Sequence, residues 1–490
     1  MQPALHAESL PDLIEGVLSS HPSVRSQKAQ GESAKQAVEG AKWQFYPTPS
    51  IGFEQVSTTN ADTSYTPLGD KNVTTVRLQQ PLWTGGRLTA GLNKAQAGVV
   101  ASQATLEGVR QDLALRVVQS YADWYGAQLK HLAAQKSLNA HKTLQEQISR
   151  RIAGGVSPRS DLTLLQGRAL QTEADLSTAQ AQEQAALGRL SQLIGHALAP
   201  GALDRALSAA QPLGGTAQEL LQAAQAQSPN VIKLQAQARI AEAEIAEHKA
   251  DLLPEVYLRA ESQYGSYTYP NTPTQNRYFL GFSSRFGAGL SSLSQVSGAQ
   301  ARYQAALADI ESTQLSLGEQ IQADYAQATA GQQRLSALQA SLDSADTIAR
   351  AWNRQFVAGR KNWSDVMNAV RELAQIEAQI ADAKSSQLLL TWRLAIVGRG
   401  LENAMQSAMN SASIQPSNPQ QMGTGEGGDG HQLYGNTDRF ADTYSEPPLY
   451  PQTPADAIQL RMAQVIDPLN MGLGLSGTTP TTNKDSEATW

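Results

Sequence analysis

The sequence predicts an α+β membrane protein built from a duplicated repeat, each copy giving two barrel strands and long coiled-coil helices, so four strands per protomer. Three observations carry this. The first is a constant offset: Ala95-Gln96-Ala97 recurs as Ala299-Gln300-Ala301, and Gly155, Ser160 and Asp161 recur as Gly359, Ser364 and Asp365, every pair 204 positions apart. The second is a pair of segments per copy in which apolar and polar residues alternate, the period of a strand with one buried or lipid-facing side. The third is a helical run after each pair, longer than ordinary globular helices, with apolar residues at 3-4 spacing.

Composition narrows the field. The chain has 490 residues, 41% of them hydrophobic, with a mean hydropathy of −0.37. It contains no run of about 18 apolar residues, so no transmembrane helix is expected. A net charge of −6 without a basic stripe argues against nucleic acid as a partner. The chain has no cysteine, which excludes disulfides, thiolate metal sites and a lipidated cysteine. Met1-Gln2-Pro3-Ala4 carries neither a basic n-region nor an apolar h-region; the expectation is a chain whose signal peptide was removed.

The first repeat is placed at 8–208. Leu10, Leu13, Ile14 and Val17 mark a short helix closed by His21-Pro22, and an Ala-, Gln- and Lys-rich helix follows to about Gln44. Pro22 and Pro47 recur as Pro229 and Pro254, 207 positions on, so the duplication begins near the N-terminus and three residues are lost in the following hairpin. The first hairpin spans about 46–84 and the second about 253–287, with strands of about 10–13 residues; roughly 9–11 tilted residues cross a bilayer as a barrel strand. Ile51, Phe53, Val76, Leu78, Val256, Leu258, Leu280 and Phe282 are the expected lipid-facing positions, alternating with polar and charged residues. Ser57–Asn72 and Gly265–Asn276 are the expected extracellular loops, and Trp43, Phe45, Tyr46 and Trp83 crowd the other end.

From Leu88 to Ile152 only scattered glycine interrupts the helical pattern, and a glycine break near Gly154-Gly155 precedes a returning helix. The second repeat, 209–402, breaks likewise at Gly359, with Leu335, Leu338, Leu342, Ala345, Ala349, Trp352 and Phe356 on one seam. The stretch 403–490 is rich in Gly, Pro and Thr without sustained period, and is expected to be a low-complexity periplasmic tail.

No catalytic constellation stands out. There is no phosphate loop and no HExxH, and His131 and His141 are wrongly spaced to share a ligand face. Gly85-Gly86 fits a tight strand-to-helix junction better than a phosphate turn. Glu242, Glu244 and Glu247 read as a solvated helix face. Neither an enzyme nor a cofactor site is expected. Four strands cannot close a barrel, since small barrels need about eight, so the chain is expected to oligomerise.

Over residues 8–402 the chain resembles the TolC-type outer-membrane efflux and secretion channels. The resemblance rests on the duplicated layout, on Leu78-Gln79-Gln80-Pro81-Leu82-Trp83-Thr84-Gly85-Gly86-Arg87, and on Arg151-Ile152-Ala153-Gly154-Gly155…Asp161. The second copy departs, with Arg285-Phe286-Gly287 at its junction. The resemblance implies a homotrimer with a twelve-stranded barrel in outer-membrane lipid and an α-helical tunnel in the periplasm. It also implies a periplasmic adaptor and an inner-membrane ABC or other transporter as partners. The expected function is the passive exit duct of a type I secretion system; a multidrug efflux duct is the alternative, and a soluble structural coiled coil or an adaptor protein is the reading from another class. Carried over by position, Asp161, Phe356, Lys361, Asp365 and Asn368 stand at the periplasmic entrance, and Arg151, Gly155 and Gly359 at the helical turns. Lys361 stands where the prototype has an arginine and Phe356 where it has a tyrosine. The expectation is a latch of packing plus an ion pair from Lys361 to Asp161; equally, Asp161 and Asp365 suit caps of the returning helices.

Overall fold

The computed structural model describes residues 8–55, 69–198, 203, 215–267, 271–284 and 291–413. One series of elements occurs twice: α1 (Leu10–Ser20), α2 (Pro22–Trp43), β1 (Thr48–Gln55), β2 (Asn72–Trp83), α3 (Arg87–Ala153) and α4 (Arg159–Ile194), then α5 (Ala217–Gln227), α6 (Pro229–Ala250), β3 (Glu255–Tyr264), β4 (Gln275–Ser283), α7 (Ser291–Val357) and α8 (Trp363–Arg399). A last helix, α9 (Leu401–Ser413), follows.

Local chemistry repeats with the order. Ser9 and Asp12 form a capping box before α1, and Thr216 and Glu219 form the same device before α5. Each satisfies backbone donors that a helix start leaves unpaired. Pro22 and Pro229 open α2 and α6, at the position where a missing N–H costs nothing. The long helices α3 and α7 each run 67 residues, about 100 Å at 1.5 Å per residue.

The four strands make one antiparallel sheet in the order β1-β2-β3-β4. Its register sets Ile51 opposite Val76, Pro49 opposite Leu78, Leu78 opposite Ala260, Leu258 opposite Leu280 and Val256 opposite Phe282. Directly opposed residues share a face, so the eight apolar positions fall together on one side. The other side carries Ser50, Arg77, Arg259, Glu261 and Arg277. β1 and β4 are 8 and 9 residues long, shorter than the 10–13 expected. The residues between β1 and β2 from 56 to 68, the loop positions 268–270 and the junction at Arg285-Phe286-Gly287 lie outside the described residues.

The largest core lies where α1, α3, α4, α8 and α9 meet, around Trp124 and Trp392, which are 2% and 1% exposed. It joins the two repeats through α3 and α8. Elsewhere α6 lies between α3 and α7, and small residues of these helices such as Ala97, Ala104, Ala299 and Ala328 are buried. A seam of alanines lets long helices run close together but buries little area per turn, so the tryptophan core carries much of the stability.

Two expectations need correction. The expected tail does not begin at 403: α9 continues to Ser413, because Leu401, Ala404 and Ala408 at 3-4 spacing are buried in the main core. Positions 414–490 lie outside the described residues. Glu244 and Glu247 are not simply solvated. Lys94 of α3 reaches them at 3.0 and 3.4 Å, and Arg302 of α7 reaches Glu244 at 3.6 Å, so α6 ties both long helices. Burial works against the Lys94 charge, but the hydrogen bonds and charges of the two carboxylates outweigh it and raise its pKa. Among the described residues no helix is long and apolar enough to cross a membrane.

Candidate functional site

The two helical hairpins end in matching turns. Gly155 and Gly359 both have φ of 73°, a left-handed conformation that a side chain resists. In the first turn Val156 N–H donates to Arg151 O and Gly155 N–H to Ile152 O; in the second, Arg360 N–H donates to Gln355 O and Gly359 N–H to Phe356 O. These are paired Schellman closures, and they reverse the chain within a few residues. The glycines were legible as breaks, and their geometry explains them.

The two turns meet. Arg151, at the end of α3, donates from Nη1 to Phe356 O of α7 at 2.8 Å, and its guanidinium lies 4.9 Å from the Phe356 ring centroid. Around this bridge Leu144, Ile148, Leu165, Phe356, Val366 and Met367 form a buried apolar cluster, flanked by Trp352 and Trp363. The cluster draws on α3, α4, α7 and α8 together. It holds the tips of both hairpins as one unit.

Of the expected entrance residues, Phe356 lies at the centre of this cluster. Lys361 does not reach Asp161 within the protomer; its Nζ lies 3.3 Å from Asp365 Oδ2 and 4.2 Å from the Trp352 ring centroid. The reason is local: Lys361 lies in the turn two residues before α8, and its side chain reaches forward to Asp365 in the first turn of that helix. Asp161 sits in the first turn of α4, its N–H donating to Pro158 O at 3.2 Å. Asn368 is exposed on α8. Sequence reasoning placed Arg151 at a turn but missed its reach to Phe356, a contact across 205 positions. Trp363 was also missed, although its place beside Ser364 and Asp365 at the helix start was visible.

At the other end of the molecule the sheet presents its apolar face outward. Ile51 and Phe282 are 77% and 80% exposed, Phe53, Val76, Leu78, Leu258 and Leu280 are exposed too, and Val256 is half-buried. So continuous an apolar face needs a nonaqueous neighbour. Its margin carries Trp43 and Tyr46 with ring centroids 5.3 Å apart, plus exposed Leu82 and Trp83. Such amphipathic rings suit a membrane–water interface. Among the described residues no further strand pairs with either sheet edge, β1 or β4. Among the described residues no group of His, Cys, Asp and Glu is arranged to hold a metal ion.

A sheet that is apolar on one face and charged on the other, continued by helices about 100 Å long, defines one subunit of a barrel-and-tunnel channel. Residues 13–196 and 220–395 match the outer membrane efflux protein family, and the chain belongs to it. It is 25% identical over 351 residues to the alkaline protease secretion protein AprF of Pseudomonas aeruginosa, covering 68% of this chain and 71% of that one. It is 26% identical over 313 residues to the cobalt-zinc-cadmium resistance protein CzcC of Cupriavidus metallidurans, covering 61% and 71%. The structure of the outer membrane protein VceC of Vibrio cholerae superposes with a TM-score of 0.67 at 19% identity, covering 80% of this chain and 96% of that one. The fold is therefore the TolC type, and the protein is an outer-membrane channel protein with its helical part in the periplasm.

Proposed function

We propose that three copies of this chain close a twelve-stranded barrel in outer-membrane lipid and act as the exit duct of a type I secretion system. In this reading the duct passes unfolded protein without catalysis, engaged by a periplasmic adaptor and an inner-membrane ABC transporter. The observation that carries the channel reading is the four-stranded sheet with an exposed apolar face and two open edges. In lipid an unpaired edge is costly, and only a closed sheet satisfies every backbone group. The repeats, 8–208 and 209–402, each supply one hairpin to that barrel and one helical hairpin to the tunnel.

Secretion is favoured by the likeness to AprF, which covers more of this chain than the likeness to CzcC. The likeness to CzcC supports a second reading, efflux of metal ions or other small solutes. Deleting the gene in its native host separates the two. A secretion duct leaves a transported protein inside the cell while resistance to cobalt, zinc, cadmium and drugs stays intact. Loss of resistance with normal secretion would establish efflux instead.

The hairpin tips would form the periplasmic entrance. Closure there rests on the apolar cluster and on Arg151, with Lys361 and Asp365 serving the start of α8. Asp161 and Asn368 remain facing solvent or a neighbouring protomer.

A further inference from the structure

The charged face of the sheet is unevenly charged along its length. The register places Ser50, Arg77, Glu261 and Arg277 in one row across the four strands, and Gln79, Arg259 and Phe279 in the next row toward the helices. Two residues along a strand separate the rows by about 7 Å. Arg77 Nε lies 3.2 Å from Glu261 Oε2 and Arg259 Nε lies 3.7 Å from the same oxygen, so two guanidiniums share one carboxylate. Arg277 donates to the neutral amide of Gln275. These two rows therefore hold three arginines against one glutamate, a local excess of two positive charges in a chain whose net charge is −6.

Among the described residues the remaining carboxylates of this face are distant and engaged. Glu54 lies four residues along β1 from Ser50 and accepts a hydrogen bond from Tyr267 Oη at 2.5 Å. Glu255 lies four residues before Arg259 and pairs with Arg87 at 3.5 Å. Four strand residues span about 13 Å, beyond a Debye length of about 8–10 Å at physiological salt. The positive rows are not cancelled from either end. They are also held in place. Arg259 lies 4.4 Å from the Phe279 ring centroid with its Nε buried, and the Glu261 side chain is 10% exposed. Planar guanidiniums fixed in this way match the two oxygens of a carboxylate.

We propose that Arg77, Arg259 and Arg277, set around Glu261, form a carboxylate-receiving belt in the barrel lumen that favours anionic solutes and acidic polypeptide over cations. The proposal rests on the channel reading, which turns this face inward because the opposite face is apolar. In the trimer the belt recurs at the same height in each protomer, and a low-dielectric wall focuses its field.

The test uses the full chain reconstituted in planar bilayers under a KCl gradient, with block by decaglutamate or by free glutamate at equal carboxylate concentration. Arg77→Gln/Arg277→Gln is expected to lower the chloride-to-potassium permeability ratio roughly threefold or more, the scale of a potential of about one kT or above at the belt. Arg277→Gln alone, at an exposed position that faces Glu261 across the strands but donates to Gln275, is expected to shift the ratio in the same direction. Arg77→Lys/Arg277→Lys should keep the ratio but weaken block, because the charge stays and the two-donor fork is lost. Block by decaglutamate alone assigns the belt to acidic polypeptide; equal block by free glutamate assigns it to small carboxylates. Normal conductance with an unchanged ratio in both glutamine variants overturns the belt. Absence of conductance in the unmodified protein overturns the channel reading beneath it.

Discussion

Arg151→Ala tests how the periplasmic tips are held. The guanidinium makes a charge-assisted hydrogen bond to Phe356 O at 2.8 Å and stacks 4.9 Å from its ring centroid. A hydrogen bond to a charged group contributes about 1.5–3 kcal/mol, and the ring contact about 0.5–1 kcal/mol. Against this, Arg151 Nε is buried without a hydrogen-bond partner, a penalty of about 1–3 kcal/mol that the substitution relieves. The net loss is about 1 kcal/mol, which shifts a two-state equilibrium roughly fivefold. On the proposal that the hairpin tips form the entrance, the two hairpins part as it widens, so the shift is expected in the occupancy of the high-conductance state. Single-channel recording reads it directly. Lys361→Ala is the control: its ion pair with Asp365, worth about 0.2–1 kcal/mol, and its contact with the Trp352 ring both lie within the second hairpin and join nothing to the first. Unchanged occupancy in Arg151→Ala, or an equal rise in Lys361→Ala, would refute the reasoning.

Leu258→Arg places a charge on the apolar face and is expected to cost about 2–4 kcal/mol if the site lies near the bilayer midplane; assembly in liposomes reads the loss, and unimpaired assembly counts against the lipid-facing assignment. Gly359→Ala forces a side chain into a φ of 73° and is expected to destabilise the second turn by about 1–2 kcal/mol, seen as faster local hydrogen exchange at the tip. Protection equal to the unmodified protein would show that the turn tolerates a side chain. Trp392→Ala empties part of the main core and is expected to cost about 3–5 kcal/mol in reversible unfolding. A loss under 1 kcal/mol, on the order of a surface substitution, would mean the core is elsewhere.

The duplicated layout was legible because its markers are backbone requirements. Gly155 and Gly359 both need a positive φ, and Pro22 and Pro229 both open helices, so neither pair depends on distant partners. The sheet faces were legible for a similar reason: alternation in Ile51, Phe53, Val76 and Leu78 fixes a side before any neighbour is known. Contacts between elements were not legible. The Arg151–Phe356 bridge depends on two hairpins lying tip to tip, and Lys361 was assigned a partner across the gap when a nearer one stood four residues away. Glu244 and Glu247 looked like surface charges because nothing local reveals that α6 lies between α3 and α7. α9 was hidden by its composition, since Leu401, Ala404 and Ala408 are a thin stripe among polar residues.

The central claim is that β4 of one protomer completes its ladder with β1 of the next. The chain lacks cysteine, so introduced pairs report without background. Within one protomer β1 and β4 are the outer strands of a four-stranded sheet, so they lie about 14 Å apart at 4.8 Å per strand. A disulfide needs Cα atoms within about 7 Å, so no bond can form inside a protomer. Ser50→Cys, combined in turn with Gln275→Cys, Phe279→Cys or Gly281→Cys, is expected to give a covalent trimer on mild oxidation in outer membranes for one of the pairings. Migration of all three pairings as monomers after oxidation would contradict a closed barrel made from three copies of this chain.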